Sequence, residues 1–469
     1  MKKIFVFLAV LLVSVSACKN PFLKKMLVED EKEIESPAPA TPANPGVPEP
    51  QLPKYTITFG VESGTGTLKA QVDGNEIHTG DSVEQGKTLV FTAEPAPDYV
   101  VEQWTKGGTV IGEAGTDTSY TYTVTANADI KVKFQSLFVE GGASLIVSPD
   151  KLDIKVTVTT ADNSSVRIEG CTETELTSGT QTVLHAKGTR VILKGNIIKL
   201  YCGSNQLTAL NVQGLTALQR LYCSGNQLTA LNVQGCTALE SLDCRDNQLT
   251  ALNMQGLTAL QTLWCYNNQL TALNVQGLTA LQTLDCSNNQ LTALNVQGLT
   301  ALERLGCDNN QLTALDVQGL TTLYVLGCRY NELTALDVQG LTALQWLDCS
   351  NNQLTALNMQ GLTALEVLDC SYNQLTAFNV QGLTALERLD CYGNRLTADA
   401  FKKLFDDLPV RADSDNAKCI LYTEESGVSE SNHTDFTAPP DLADAFNNAK
   451  NNKKWKMYKL NGKGHWVEI

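Results

Sequence analysis

Histidine is scarce in this chain, and the side-chain patterns that most catalytic sites need are missing. The 469 residues include four histidines, His78, His185, His433 and His465, which lie far apart in at least three segments. No HExxH metalloprotease pattern, GxSxG nucleophile elbow or phosphate-binding GxxxxGK pattern occurs. The sequence therefore predicts a protein that is not an enzyme and that uses neither a cofactor nor a metal.

Charge is also sparse, and it is unbalanced. Only 18% of the residues are charged, and 35 basic against 50 acidic side chains leave a formal net charge of −15. A nucleic-acid-binding protein is expected to carry a basic surface, so nucleic acid is not a predicted partner. Hydrophobic residues make up 43% of the chain, which is too much for a disordered protein.

Long apolar runs are absent as well, and the longest one lies at the start. Lys2 and Lys3 precede a short apolar stretch from Ile4 to Val15, which is typical of an export signal over residues 1–17. The sequence Val-Ser-Ala-Cys ending at Cys18 resembles the lipobox of bacterial lipoproteins, and this resemblance implies that Cys18 carries the lipid. The alternative is an ordinary signal peptide with an incidental cysteine. Residues 18–53 then form a lipidated N-terminus and a proline-rich tether with seven prolines in seventeen residues.

Fourteen cysteines would suggest a disulfide framework in a small secreted domain, but this chain is too long for that class. Ten of them recur every 21 residues, and an asparagine follows each at the third position. A fixed period in this range predicts stacked repeats, because one short unit cannot bury its apolar face alone. The tenfold LxxLxCxxNxL segment resembles leucine-rich repeats of the short bacterial IRREKO subclass, as in surface proteins of spirochaetes and related anaerobes.

This resemblance implies a mainly β chain with a leucine-rich-repeat solenoid of ten 21-residue repeats over residues 197–397. Residues 54–136 alternate like β-strands between glycine-rich turns, and Gly66-Thr-Leu68, Gly86, Trp104 and the closing Val132-Lys-Phe134 resemble an internalin-B-repeat module. Residues 137–196 are predicted to be a β-rich N-terminal cap. Residues 398–469 are predicted to be an α+β C-terminal cap that begins with an amphipathic helix.

The ladder cysteines are predicted to be buried free thiols. A metal site needs thiolates that converge on one point, whereas these side chains all point the same way along the core. Neighbouring rungs place Cβ atoms ~4.8 Å apart, which exceeds the separation in a disulfide. The sequence does not decide the oxidation state of Cys171 and Cys419, which lie in the two caps.

Variation between repeats concentrates beside the inward leucine and cysteine, where alternate side chains point away from the core. Aromatic, arginine and aspartate residues are frequent there, which is the composition of protein-binding surfaces. Neutral drift on a solvated face is the alternative. The predicted protein-binding residues are Tyr201, Arg220, Tyr222, Asp243, Arg245, Trp264, Tyr266, Asp285, Arg304, Arg329, Tyr330, Trp346, Asp348, Asp369, Tyr372, Arg388, Asp390 and Tyr392.

The resemblance to leucine-rich-repeat surface lipoproteins implies an adhesin that serves attachment and virulence. Its partners would be host matrix proteins, host cells or other bacterial surface proteins, and it would bind them through the concave face of the solenoid. The lipid would anchor it to the bacterial envelope, in the outer membrane and exposed at the surface. The alternative is an envelope scaffold that binds the cell's own surface components.

Overall fold

The structure is a computed structural model that describes residues 52–96 and 98–469. The predicted export signal, the lipid-bearing Cys18 and nearly all of the tether lie outside the described residues. The described part is mainly β, as the sequence predicts, with 35% of the residues in strands and 7% in helices.

The first module has two sheets around one apolar core. Its strands alternate buried and exposed residues, and the buried side chains of Trp104, Phe91 and Ile57 meet between the sheets. A tight turn at Asp73-Gly74, with φ of 48° and 81°, joins β2 (Gly66–Val72) to β3 (Asn75–Ile77) as a hairpin. The strands are β1 (Lys54–Ser63), β2 (Gly66–Val72), β3 (Asn75–Ile77), β4 (Ser82–Glu84), β5 (Thr88–Pro95), β6 (Tyr99–Lys106), β7 (Thr109–Val110), β8 (Ser119–Thr123) and β9 (Ala128–Ser136).

A second β-rich segment leads into the repeats and joins their sheets. Strand β11 pairs antiparallel with the first repeat strand, with Thr157 opposite Tyr201, and the segment therefore extends the repeat sheet at its N-terminal end. The Asp98 carboxylate also accepts bonds from the amides of Asn211 and Asn232, at 3.1 and 2.7 Å, which ties the first module to the first two repeats. The strands are β10 (Gly142–Val147), β11 (Asp153–Thr160), β12 (Val166–Glu169), β13 (Glu175–Leu176), β14 (Gln181–His185) and β15 (Arg190–Lys194).

Ten short parallel strands, one for each repeat, form the centre of a 15-stranded sheet. They are β16 (Ile197–Tyr201), β18 (Arg220–Tyr222), β20 (Ser241–Asp243), β21 (Thr262–Trp264), β22 (Thr283–Asp285), β23 (Arg304–Gly306), β24 (Val325–Gly327), β26 (Trp346–Asp348), β28 (Val367–Asp369) and β29 (Arg388–Asp390). Further strands on the other side of the repeats are β17 (Leu207–Asn211), β19 (Ala230–Asn232), β25 (Leu336–Asp337) and β27 (Leu357–Asn358).

The repeated cysteine and asparagine form two buried ladders. All thirteen cysteines of the described part are free and buried, in agreement with the predicted thiol ladder. The Asn289 amide donates to the carbonyls of Cys265 and Cys286, at 3.1 and 3.0 Å, and accepts from the Leu270 backbone N–H at 3.0 Å. Each such asparagine therefore bonds to backbone groups of its own repeat and of the preceding repeat. These groups lie beyond the ends of the short strands, where the strand-to-strand hydrogen bonds do not satisfy them.

The C-terminal cap continues the same sheet and covers its apolar end. Helix α1 (Ala398–Asp407) confirms the predicted amphipathic helix, begins at the cap residue Thr397 and buries Phe401, Leu404 and Phe405. Helix α2 (Pro440–Asn451) packs beside it. The remaining strands are β30 (Lys418–Thr423), β31 (Lys456–Leu460) and β32 (Trp466–Glu468), and Cys419 lies on β30 opposite Leu389 as a buried free thiol.

Candidate functional site: the outer face of the 15-stranded sheet

The outer face of the 15-stranded sheet, called the strand face below, carries the variable residues. In each three-residue repeat strand the central leucine is buried and its two neighbours point outward, because successive side chains alternate across a strand. In β26, Leu347 is fully buried whereas Trp346 is 52% exposed. In-register pairing of all ten repeats brings the predicted binding residues onto this one face and its adjoining edge.

The predicted residues differ in how far they reach solvent. Asp243 and Asp390 are only 4% and 2% exposed, so these two predicted residues are buried although their strand positions face outward. The reason is local pairing: Arg245 and Arg388, each two positions away, lie over their carboxylates at 3.5 and 2.6 Å. The exposed members are Tyr201, Arg220, Arg304, Arg329, Tyr330 and Trp346, and the half-buried ones are Tyr222, Arg245, Trp264, Tyr266, Asp285, Asp348, Asp369, Tyr372, Arg388 and Tyr392.

Aromatic rings and arginines hold one another in place across the rungs. Tyr201 and Tyr222 stack with ring centroids 4.7 Å apart. The Arg245 guanidinium donates to the Tyr266 hydroxyl at 2.8 Å, and its carbon lies 5.4 Å from the ring centroid. These contacts keep flat rings at fixed positions, which lowers the entropy that binding a partner would cost.

Several side chains of the strand face were missed in the sequence. Lys151 and Lys155, from the N-terminal cap, line a cavity of about 690 Å³ beside Tyr201 and Tyr222. Trp466, from β32, lies over Arg388 and Lys418, and Tyr324 lies under Arg304. Lys151, Lys155 and Trp466 lie outside the repeats, and no periodic signal in the sequence could have placed them on this face.

The middle of the strand face holds a depression. The outward position before the ladder cysteine is Trp264, Asp285, Gly306, Gly327 and Asp348 in five successive rungs. Two consecutive glycines remove two side chains from this row and leave a cavity of about 550 Å³. The cavity and its lining side chains are called the glycine notch below.

Two aspartates, one lining the glycine notch and one farther along the strand face, have raised pKa values. Burial, together with the nearby Asp348 carboxylate, raises the pKa of Asp308 to about 6, although Arg329 opposes the shift. Burial likewise raises the pKa of Asp369 to about 6, and the neighbouring Asp390 and Asp348 add to it. Aspartates stacked one rung apart repel each other, so this face gains from a positive charge placed against it.

Other chemistry is thinly represented in the described part. No cluster of three or more histidine, cysteine, aspartate or glutamate side chains there is arranged to hold a metal ion. Burial raises the pKa of the ladder thiols, for example to about 12 for Cys202, which keeps them unreactive. Exposed His185 bonds to Glu173 at 2.6 Å in the N-terminal cap.

Among the described residues, no helix has the length and apolar character needed to cross a membrane.

Family models match two parts of the chain. A model for leucine-rich repeats in two copies matches residues 237–279, 279–322 and 342–381. A model for the divergent InlB B-repeat domain matches residues 63–137. No curated protein matches the chain.

Solved structures that are similar to part of the chain include three bacterial proteins. The functional domain of InlJ from Listeria monocytogenes, described as including a cysteine ladder, is 34% identical over 48% of this chain and 49% of that one, with a TM-score of 0.43. YopM from Yersinia enterocolitica is 27% identical over 44% and 41%, with a TM-score of 0.37. An internalin, InlF, from Listeria monocytogenes is 20% identical over 45% and 80%, with a TM-score of 0.32.

The chain thus spans about half the length of the InlJ domain and less than half of YopM. The 21-residue repeat pattern and the strand register agree with the leucine-rich-repeat model, and the B-repeat model covers most of the first β module. The chain thus contains a segment, residues 63–137, that matches the divergent InlB B-repeat domain, followed by segments that match leucine-rich repeats.

Proposed function

We propose that this protein is a lipid-anchored adhesin of the bacterial surface that binds host or bacterial proteins through its strand face. Leucine-rich repeats of this type serve as protein-binding scaffolds, and InlB repeats are typical of bacterial surface proteins. The observation that carries the proposal is the alignment of aromatic and arginine side chains on one face of ten in-register strands. Trp346, 52% exposed, and Tyr330, 51% exposed, lie at its middle.

The energetic reason favours binding over a merely solvated surface. Large apolar side chains left in water forgo about 25 cal/mol for each Å² they would bury, so exposed tryptophan and tyrosine on one face point to a partner that covers them. Rings already fixed by stacking or by an arginine, as at Tyr222 and Tyr266, lose little freedom on binding.

The binding test uses the whole protein and three single variants. Binding to immobilised matrix proteins and to host and bacterial cells is compared for the natural chain, Trp346→Ala, Trp264→Ala and Tyr266→Ala. Val110→Ala is the matched control, since Val110 is 57% exposed on β7, outside the repeats. We expect Trp346→Ala to weaken binding about tenfold or more and Val110→Ala to leave it unchanged. Equal binding by the natural chain and by all three strand-face variants would place the recognition surface elsewhere.

The anchor is tested separately in cells. Cys18→Ser should release the protein from the membrane fraction, because the lipobox-like sequence would lose its acylated residue. Protease added to intact cells should degrade the natural protein. Full protection from the protease would favour the envelope scaffold over the adhesin.

A further inference from the structure

The glycine notch is the one place on the strand face where the row of outward side chains is interrupted. The row runs from Trp264 and Asp285 across Gly306 and Gly327 to Asp348, and neighbouring strands are ~4.8 Å apart. The gap between the two aspartates therefore spans about 14 Å. The backbone of both glycines has an ordinary negative or extended φ, so the glycines are not needed for the fold of the chain at these rungs.

Carboxylates lean into the space that the glycines leave. A Cβ at Gly306 would lie 3.0 Å from an Asp285 carboxylate oxygen, and a Cβ at Gly327 would lie 3.0 Å from an Asp308 carboxylate oxygen. Any side chain at these positions would have to displace a carboxylate. The missing side chains thus create room, and the acidic groups border that room.

Positive charge within the notch does not balance the negative charge. Arg329 is shared between Asp308, at 3.3 Å, and Asp348, at 3.8 Å. The Asp285 carboxylate accepts only the Ser287 backbone N–H among the hydrogen bonds of the described residues, and it pairs with no basic side chain there. Three carboxylates therefore meet one guanidinium.

Arg304, which also lines the notch, is directed onto another partner. Its guanidinium carbon lies 4.7 Å from the Tyr324 ring centroid and its Nε donates to the Tyr324 hydroxyl. The floor of the notch is the strand backbone at Leu284, Leu305, Leu326 and the two glycines, because these leucine side chains point into the core. The outward side chain of Val325 adds an apolar surface, and Trp264 and Trp346 stand at the two ends. Acidic sides, aromatic ends and this apolar side chain fit the aliphatic stem and cationic head of a basic side chain.

We propose that the glycine notch receives a lysine or arginine side chain of the protein partner, and that this contact selects partners with a basic protrusion. The inference rests on the proposed function and names the chemistry of the partner. A cavity of about 550 Å³ has room for such a side chain and part of its backbone. A bare metal ion fits poorly, since no three histidine, cysteine, aspartate or glutamate side chains of the described residues are arranged to hold one ion.

The test titrates the whole protein with a short probe peptide, acetyl-SGRGRGS-amide. The protein carries 5-fluorotryptophan, and its five tryptophans give a small set of ¹⁹F signals. The control peptide replaces each arginine with glutamine. We expect the arginine peptide to move the Trp346 signal, identified with Trp346→Phe, and the glutamine peptide to leave it in place.

Two variants alter the notch, and one matched variant does not. Asp308→Asn removes one of the bordering charges without changing its shape, whereas Gly327→Tyr fills the gap with the residue that Tyr201 and Tyr222 already place in this row. Asp316→Asn lies in the same repeat on another surface, where Asn295 makes the same backbone bond that Asp316 makes. We expect about five- to tenfold weaker peptide binding for the first two and no change for the third.

The outcomes separate the notch from the proposed function. Equal binding of both peptides, or equal loss in Asp308→Asn and Asp316→Asn, overturns the notch even if proteins bind the strand face. Calcium chloride alone moving the Trp346 signal and blocking the peptide would also overturn it, in favour of an inorganic cation site. Specific peptide binding with no protein binding to the strand face would uphold the notch and contradict the adhesin.

Discussion

The asparagine ladder makes a prediction that the structure allows to be worked bond by bond. Asn289→Ala removes the bond from the Leu270 N–H and the bonds to the carbonyls of Cys265, Cys286 and Ser287. The three carbonyls keep one partner each, since Asn268 also donates to Cys265, Asn310 to Cys286 and the Asn267 N–H to Ser287. The Leu270 N–H keeps none among the described residues, and it is buried.

One orphaned buried N–H costs about 1–3 kcal/mol, and each lost second bond costs about 0.5–1.5 kcal/mol. We therefore expect Asn289→Ala to lower the free energy of unfolding by about 2.5–7.5 kcal/mol. Asn289→Asp should lower the free energy of unfolding at least as much. The carboxylate still accepts the Leu270 N–H, but it places a buried negative charge against carbonyl oxygens that have lost the Asn289 donor, and that repulsion outweighs the bond it keeps.

Urea unfolding followed by circular dichroism measures the change, and hydrogen exchange at the Leu270 amide locates it. Asn295→Ala is the control, because exposed Asn295 accepts only the Gln297 N–H through its side chain. The control should stay within about 0.5 kcal/mol of the natural protein. A loss in Asn289→Ala as small as in the control, or a milder effect of aspartate than of alanine, would refute the bond accounting.

Three further predictions concern thiols, backbone strain and acidity. None of the thirteen thiols of the described part should react with Ellman's reagent until urea unfolds the chain; rapid reaction in the folded protein would contradict their burial. Tyr330→Asn should raise the free energy of unfolding by about 1 kcal/mol, because Tyr330 has a left-handed φ of 52°, and an unchanged or lower value would contradict the strain. Asp369→Asn should stabilise the protein at pH 7.5 and much less at pH 4.5. The folded pKa of Asp369 is raised to about 6, so its ionisation opposes folding as pH rises through that value, and equal effects at the two pH values would exclude this.

The sequence predicts the periodic part of the fold and misses what crosses between segments. The 21-residue period sets the register of leucine, cysteine and asparagine, since each repeat must bury the same face against the next. The period also predicts which side chains share the strand face. It does not predict that β11 and β14 extend this face at one end and β32 at the other, because these pairings depend on contacts between distant segments.

The candidate site was only partly predictable for a related reason. Alternation along a strand indicates that Asp243 and Asp390 point outward, and it cannot indicate that an arginine two positions later or earlier folds back over each of them. Gly306 and Gly327 were visible in the variable row as absences of a side chain. Their meaning follows only from the carboxylates that turn toward the gap, which the structure supplies.

The backbone conformation at the second position after each ladder cysteine bears on the proposed binding role of the edge of the strand face. All ten repeats take a left-handed backbone there, with φ between 50° and 66°. Eight repeats use glycine, asparagine, aspartate or serine, most of which suit this conformation, whereas Tyr330 and Tyr372 place a bulky ring in it. The Tyr372 hydroxyl donates to the Glu425 carboxylate at 3.2 Å and its ring packs against Tyr392, so contacts within the fold account for this tyrosine. At position 330 a folding requirement alone would favour asparagine, because asparagine meets the backbone constraint at lower cost. Retaining tyrosine makes physical sense if its ring serves a contact outside the fold, and Tyr330, half exposed two positions beyond Cys328, is placed for such a contact.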